Sequence, residues 1–359
     1  MADNTLTIVI PTYNECDNIK PLVERLHKAL NGSKYEILFV DDNSRDGTAE
    51  AASAMAPAYP VRVIVRKNER GLASAVVHGF KNSTAPVICV MDADLQHPPE
   101  VVAGLLEAIE KGADVAIGSR YVKGGGCEGW SLTRRIISKG AIFLSHLLLP
   151  RTKGISDPMS GLFMLKRPVV EGAALQPTGY KILLEILIAG RFEKVAEVPY
   201  GFKVREKGES KLSSKTQIDY LKHLRSLMER TGEVNRLARF TMVGLGGAAV
   251  ALVAYWLLTS YASLNSYLGL LIAFEANVIF KGVLDQALAV WGRRGGKGSP
   301  FAAQFVRFNI ISLGGLGILE GSLWLFNGVA GLNDLIAVVI GIIIATPLNY
   351  LLNSWFMWK

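Results

Sequence analysis

Asp92, Asp94 and Gln96 follow one another at alternate positions directly after the apolar run at residues 87–91, within VICVMDADLQHPPE. Two carboxylates and an amide oxygen so spaced are hard ligands of the kind Mg²⁺ or Mn²⁺ takes. A D-x-D triplet alone is equally an ordinary solvated turn. The element in front separates the two readings: a short apolar run closed by a polar turn and Pro98-Pro99 reads as a buried strand. Open α/β sheets take their ligands just past the carboxyl ends of such strands. The expected chemistry is a divalent cation beside a nucleotide. His97, adjacent to the motif, is read as a neighbour and not a ligand.

The runs at residues 6–10, 36–40, 61–65, 87–91 and 114–117 are apolar and often β-branched, and they alternate with helical patterns such as 18–30 and 99–111. That alternation predicts an open, mostly parallel sheet with helices on both faces. Pro11-Thr12-Tyr13-Asn14-Glu15 ends the first run, and Asp41-Asp42-Asn43-Ser44-Arg45-Asp46-Gly47-Thr48 ends the second. Both polar turns then fall on the sheet edge that carries Asp92 and Asp94. No G-x-G-x-x-G follows the first strand and no P-loop motif occurs, so dehydrogenase and P-loop readings lose their main support. Asp42 is expected at a base or ribose, Asp92 at the ribose and Asp94 at the cation. Asp46 reads as a turn and cap residue, with Asp41 open to either reading.

These elements must sit in a chain of 359 residues, 50% of them hydrophobic, with mean hydropathy +0.28. The excess is concentrated. Residues 1–235 read as an α/β domain, whereas 236–359 hold apolar stretches near 236–259, 267–291, 301–326 and 333–357. Each supplies the roughly 20 residues that a bilayer core requires, so the second domain is expected to be all-α with four transmembrane helices. Arg293, Arg294 and Lys297 lie between the second and third stretches, and the loops near 260–266 and 327–333 carry no Lys or Arg. The positive-inside rule then places both termini and the first domain in the cytoplasm. No secretory signal pattern opens the chain. Cys16, Cys89 and Cys127 lack metal-ligand spacing and fit a reducing compartment. The net charge of +8 is concentrated beside apolar segments, which favours anionic lipid headgroups and phosphorylated substrates over nucleic acid.

Residues 131–148 combine Arg134, Arg135 and Lys139 with a broad apolar face, the composition of a helix lying in a membrane interface. YKILLEILIAG at 180–190 is open to that reading or to a buried core helix. In the second domain, Arg239-Phe240, Leu245-Gly246-Gly247 and Trp256-Leu257 recur as Arg307-Phe308, Leu313-Gly314-Gly315 and Trp324-Leu325, and Asn277 recurs as Asn349. The spans are read as two repeated hairpins. Glu275, Lys281, Asp285, Arg307 and Glu320 are costly in lipid unless paired or near an interface.

IVIPTYNE, FVDDNSRDGT, VMDADLQHPPE, IGSRYVKGG, DPMSGLFMLKR and GESKL, in that order, resemble the successive motifs of glycosyltransferase family 2, the inverting, nucleotide-sugar-dependent A-type fold. With the spans that follow, the chain resembles archaeal dolichol-phosphate mannose synthases carrying a GtrA-like membrane domain. The resemblance implies donor contacts from Pro11, Tyr13, Glu15, Val40, Asp42, Asp92 and Ala93, and a cation, Mg²⁺ or Mn²⁺, on Asp94 and Gln96. It further implies Lys181, Arg205 and Lys211 closing over the donor diphosphate, with residues 205–211 as a cationic lid. Arg120, Arg134 and Ser138 match positions that hold the acceptor phosphate. Asp94, Arg120 and Arg205 are the residues on which turnover is expected to depend. The implied reaction moves mannose from GDP-mannose to dolichyl or another polyprenyl phosphate at the lipid bilayer. Association of copies through the membrane domain is left open.

Three alternatives stand beside it: a UDP-glucose-dependent polyprenyl-phosphate glucosyltransferase, a lipid-linked sugar flippase or scaffold, and a processive polysaccharide synthase. The last normally adds a further catalytic Asp and Q-x-x-R-W, which Gln304-Phe305-Val306-Arg307-Phe308 matches only superficially.

Overall fold

The computed structural model describes residues 5–176, 181–203, 214–288 and 301–356. The chain forms two compact units, Met1–Thr231 and Gly232–Lys359. The cut falls a few residues before the boundary at 235/236 expected from composition.

The first unit opens with β1 (Leu6–Thr12), α1 (Cys16–Ala29), β2 (Tyr35–Asp41), α2 (Thr48–Met55), β3 (Val61–Val65), α3 (Leu72–Asn82), β4 (Val87–Val90), α4 (Val101–Glu110) and β5 (Val115–Ser119). There follow β6 (Gly126–Cys127), α5 (Leu132–Leu148), β7 (Phe163–Lys166), α6 (Ile182–Ala189), β8 (Val195–Pro199), β9 (Gly201–Phe202) and α7 (Ser214–Thr231). The seven-stranded sheet has the order β3-β2-β1-β4-β7-β5-β8. β1 pairs in parallel with both β2 and β4, so the strand order reverses direction there, a switch point of the kind whose crevice takes the ligand in open α/β sheets. One strand departs from the parallel expectation: β7 lies antiparallel between β4 and β5.

Alternation along the strands sorts side chains to two cores. Leu6, Ile8 and Ile10 face α1, whose Ile19, Leu22, Val23 and Leu26 recur at helical spacing, while Val9, Leu38 and Val40 face α3 and α6. Helices on both faces are what such a two-sided apolar strand demands. The open question at 180–190 is settled by burial: Leu184, Ile186 and Leu187 have no exposed surface, so α6 is a core helix. α5 is the opposite case. Ser131 caps it by accepting from the Arg134 amide, and Leu132 and Ile136 are 74% and 62% exposed.

The second unit contains α8 (Glu233–Ser260), α9 (Ser266–Leu288), α10 (Phe301–Ser322), a π-helical turn (Leu323–Val329) and α11 (Asp334–Phe356). α8 packs along α9 and α10 along α11. The repeated glycines sit at equivalent contacts: Gly247 abuts Asn277 and Lys281, and a Cβ at Gly315 would stand 2.7 Å from Asn349 Nδ2. Close helix approach at small residues is the usual packing device of such bundles. Among the described residues, α8 is long and apolar enough to cross a bilayer.

Candidate active site

The D-x-D turn is built by strain and burial together. Leu95 adopts a left-handed φ of 59°, unusual for a residue with a Cβ, and its side chain is buried in the α1-side core. That anchor sets the path of the turn between Asp94 and Gln96. The Gln96 amide N–H donates to Asp94 Oδ1 (3.2 Å), and Gln96 Nε2 donates to the Lys203 carbonyl (3.0 Å). With its nitrogen so engaged, Gln96 has Oε1 as its ligand atom. Asp94 and Gln96 thus offer hard oxygen ligands that suit Mg²⁺ or Mn²⁺. Among the described residues no cluster of three or more His, Cys, Asp or Glu competes for such an ion.

His97 is 2% exposed, with Nδ1 3.6 Å from Asp92 Oδ2. Burial, and then the charges of Arg120 and Lys181, push it down to about 3. The ring is neutral at pH 7 and packs edge-on against Phe202. A Cβ added at Gly161 would stand 2.7 Å from Asp92 Oδ2 and 3.0 Å from His97 Cε1. Gly161→Ala is therefore expected to turn Asp92 away and raise the donor KM about tenfold, a loss of about 1.4 kcal/mol. Donor titration at saturating acceptor checks this; an unchanged KM would remove Asp92 from the donor contacts.

At the β1/β2 end, Pro11 and Val40 stand in register. Tyr13 lies beneath Arg70, whose guanidinium carbon is 5.2 Å from the ring centroid. Glu15 accepts from Asn18 Nδ2 (2.7 Å). Asp42 is 6% exposed; its Oδ1 accepts from Arg66 Nε (2.8 Å) and Nη2, and its Oδ2 from the Gly71 amide (2.7 Å). It presents a fixed, charge-compensated edge. Asp41 accepts from Thr12 and Ser44, and Asp46 from the Cys16 and Thr48 amides, so both hold turns.

The cationic side of the crevice is organised by a residue the sequence reading did not single out. Asp157 is fully buried and takes Arg120 Nε and Nη2 at 2.7 Å each, as well as the Arg120 amide at 3.1 Å. Glu197 on β8 accepts from the Ser156 and Asp157 amides (2.8 and 3.0 Å) and so fixes the loop that carries Asp157. Burial works against the Arg120 charge, but the hydrogen bonds to Asp157 outweigh it and raise its pKa. Trp130 lies 5.4 Å from the Arg120 guanidinium and 4.1 Å from that of Arg134, with Phe202 at 5.6 and 6.0 Å. These aromatic faces hold two like charges together in a poorly hydrated place. Ser138 accepts from the Tyr121 hydroxyl at 2.7 Å. Arg120, Arg134 and Ser138 therefore share one wall, and Arg120, its bidentate edge given to Asp157, keeps Nη1 as the nitrogen that can turn to a ligand.

Lys181 lies close enough to Arg120, Arg134, Asp92 and Asp157 for their charges to act on it. Its Nζ donates to the Met159 carbonyl (3.1 Å), and burial first, then Arg120, pushes it down to about 8. Loss of its proton removes positive charge beside Asp92, so kcat/KM for the donor is expected to fall above pH 8. Lys181→Arg should carry the plateau beyond pH 9; an unshifted fall would assign the titration to another group. α7 is tied to α6 through Glu185, which accepts from Arg230 Nη2 (2.6 and 2.7 Å) and pairs with His223 (3.2 Å). Arg205 and Lys211 lie outside the described residues.

An open sheet with a D-x-D turn at its switch point and a cationic wall facing it is the catalytic half of a nucleotide-sugar glycosyltransferase. Residues 7–172 match the glycosyl transferase family 2 profile, and 239–358 match the GtrA/DPMS transmembrane domain. Over 353 residues, 98% of this chain and 99% of the relative, the sequence is 42% identical to a dolichol-phosphate mannosyltransferase from Pyrococcus furiosus. Its counterpart from Saccharomyces cerevisiae is 42% identical over 65% of this chain and 91% of its own. The fold resembles a Mycobacterium tuberculosis glucosyl-3-phosphoglycerate synthase in complex with Mn²⁺ and UDP-glucose, with TM-score 0.51 and 18% identity over 64% of this chain and 81% of that one. The chain belongs to the dolichol-phosphate mannosyltransferase family of glycosyltransferases, in the form that carries a GtrA-type membrane domain. It is an enzyme and a membrane protein.

Proposed function

We propose that the chain transfers mannose, with inversion, from GDP-mannose to dolichyl or a related polyprenyl phosphate on the cytoplasmic face of the membrane. The convergence of Arg120, Arg134 and Lys181 on the crevice beside Asp92 is the observation that carries this reading. A phosphate monoester has a second pKa of about 6, so the acceptor is largely a dianion at pH 7 and needs no general base. It needs cations that hold it behind the anomeric carbon, and Arg120, Arg134 and Ser138 supply that wall. Lys181, between that wall and Asp92, draws the donor diphosphate, with Arg205 and Lys211 assigned to the same task by family position. Asp94 and Gln96 would hold Mg²⁺ or Mn²⁺, which when bound supplies Lewis-acid neutralisation of the leaving diphosphate.

The exposed apolar side chains of α5, beside Arg134 and Arg135, suit a helix that rests in the lipid interface and brings the acceptor headgroup to the crevice. In this account α8 to α11 are four membrane spans, and both termini are cytoplasmic.

A donor panel tests the sugar. Detergent-solubilised chain with dolichyl phosphate and Mg²⁺ is expected to transfer label from GDP-mannose to an organic-soluble product, with little transfer from UDP-glucose. Preference for UDP-glucose would make it a polyprenyl-phosphate glucosyltransferase.

A further inference from the structure

Glu275 sits deep along α9 and on the outside of the second unit. It stands nine residues beyond Ser266, where the helix begins (275 − 266), or about 14 Å along the axis. That is near the middle of a bilayer core about 30 Å thick. Leu270, Ala273, Phe274, Asn277 and Val278 turn the other side of α9 into the unit, where all five are buried.

The outer side has a pattern of its own. Leu268, Ile272, Glu275 and Ile279 follow at spacings of four, three and four residues, and all four are exposed. Such spacing places them in one stripe down the helix, the seam by which two helices pack along each other. Among the described residues nothing covers this stripe, and Glu275 enters no hydrogen bond or ion pair.

The internal repeat shows that the hairpin itself does not require the carboxyl group. Aligning Asn277 with Asn349 sets Glu275 against Pro347, so the second hairpin packs without an acid at that position. A carboxyl group facing lipid is costly unless a partner satisfies it. A two-fold contact between copies brings each residue near the axis against its own counterpart. A carboxylic acid is its own complement, because one group carries both an O–H donor and an acceptor oxygen.

We propose that α9 forms the two-fold seam of a dimer of this chain within the membrane. Leu268, Ile272 and Ile279 pack on their counterparts, and each Glu275, as the acid, donates to the Glu275 of the other copy. A single polar position in an apolar seam also fixes the register and the number of helices that join. The inference rests on the reading of α9 as a membrane span under Proposed function.

The test places full-length chain, labelled with a donor or an acceptor fluorophore, in phosphatidylcholine vesicles and follows energy transfer as lipid dilutes the protein. Wild type is expected to associate as dimers. Glu275→Gln should keep them, because the amide also donates and accepts, and Glu275→Leu should dissociate at an about tenfold higher protein-to-lipid ratio. A second measurement leaves Glu275 in place: Ile279→Cys, oxidised in the vesicles with copper phenanthroline, should give a covalent dimer. Trp256→Cys, on the exposed side of α8, should give no more than the native cysteines do. Monomeric wild type at every dilution, assemblies larger than two, equal dissociation of wild type and Glu275→Leu, or no more cross-linking at Ile279→Cys than at Trp256→Cys would each overturn the proposal. A membrane-impermeant maleimide should leave Ile279→Cys unlabelled. Labelling would place that part of α9 in water and overturn the span reading itself, which separates that failure from failure of the seam.

Discussion

Asp94→Ala is expected to lower turnover by about 10³-fold while leaving the fold intact. Asp94 sits on a turn whose shape is set by the Leu95 backbone and the buried Leu95 side chain, and the Gln96 amide is one of the groups that donate to it, at 3.2 Å. Removing the carboxylate therefore takes little from stability. It removes a ligand for the ion that offsets charge on the leaving diphosphate, an effect of several kcal/mol, and about 4 kcal/mol is about a thousandfold. Initial rates of label transfer at saturating Mg²⁺, with circular dichroism of the same samples, check both halves. EDTA should reduce wild type to the level of the variant. A purified, folded Asp94→Ala chain working at near wild-type rate would take Asp94 out of the mechanism.

Asp157→Ala should cost both stability and activity. Its side chain is fully buried against an Arg120 side chain that is 9% exposed, so removing one partner leaves a guanidinium uncompensated. Such a break costs about 3–5 kcal/mol. Arg120 would also lose the two bonds that aim it, and the KM for lipid phosphate is expected to rise more than kcat falls. The double variant Asp157→Ala/Arg120→Met separates the effects, because an apolar side chain in place of the stranded charge should regain much of the unfolding midpoint and none of the activity. Thermal unfolding in detergent and acceptor titrations read the two quantities. If the double variant were no more stable than Asp157→Ala, the buried charge would not be the source of the loss.

Much of the first unit was legible because strands buried on two faces are written as continuous apolar runs. The runs at 6–10, 36–40 and 87–91 became β1, β2 and β4, and the polar turns after them share one sheet edge. β7 was not legible. Its four residues interrupt no helical pattern, and an antiparallel insertion breaks the strand-helix alternation on which the reading depended. The eight residues of α6 are apolar all round, which fits burial and a membrane surface equally until the packing is seen.

The site shows the same division. Asp92, Asp94 and Gln96 announce themselves by local spacing. The partner of Arg120 lies 37 residues further along, and that of Asp42 lies 24 residues away at Arg66. Asp157 stood in plain view within DPMSGLFMLKR, where an aspartate before proline reads as a turn. Only the fold of the intervening chain brings it under the guanidinium. Trp130 and Phe202, on either side of α5, gave no local sign that they face the same arginines.

The most direct measurement is the structure of the product made from GDP-mannose, whose mannose is α-linked, and dolichyl phosphate. Nuclear magnetic resonance of the purified organic-soluble product should show a single mannose joined to the lipid phosphate in the β configuration, formed only when a divalent cation is present. An α-linked mannose, a polymer, or equal yield in EDTA would contradict direct displacement by a lipid phosphate held on the arginine wall opposite a cation at the D-x-D turn.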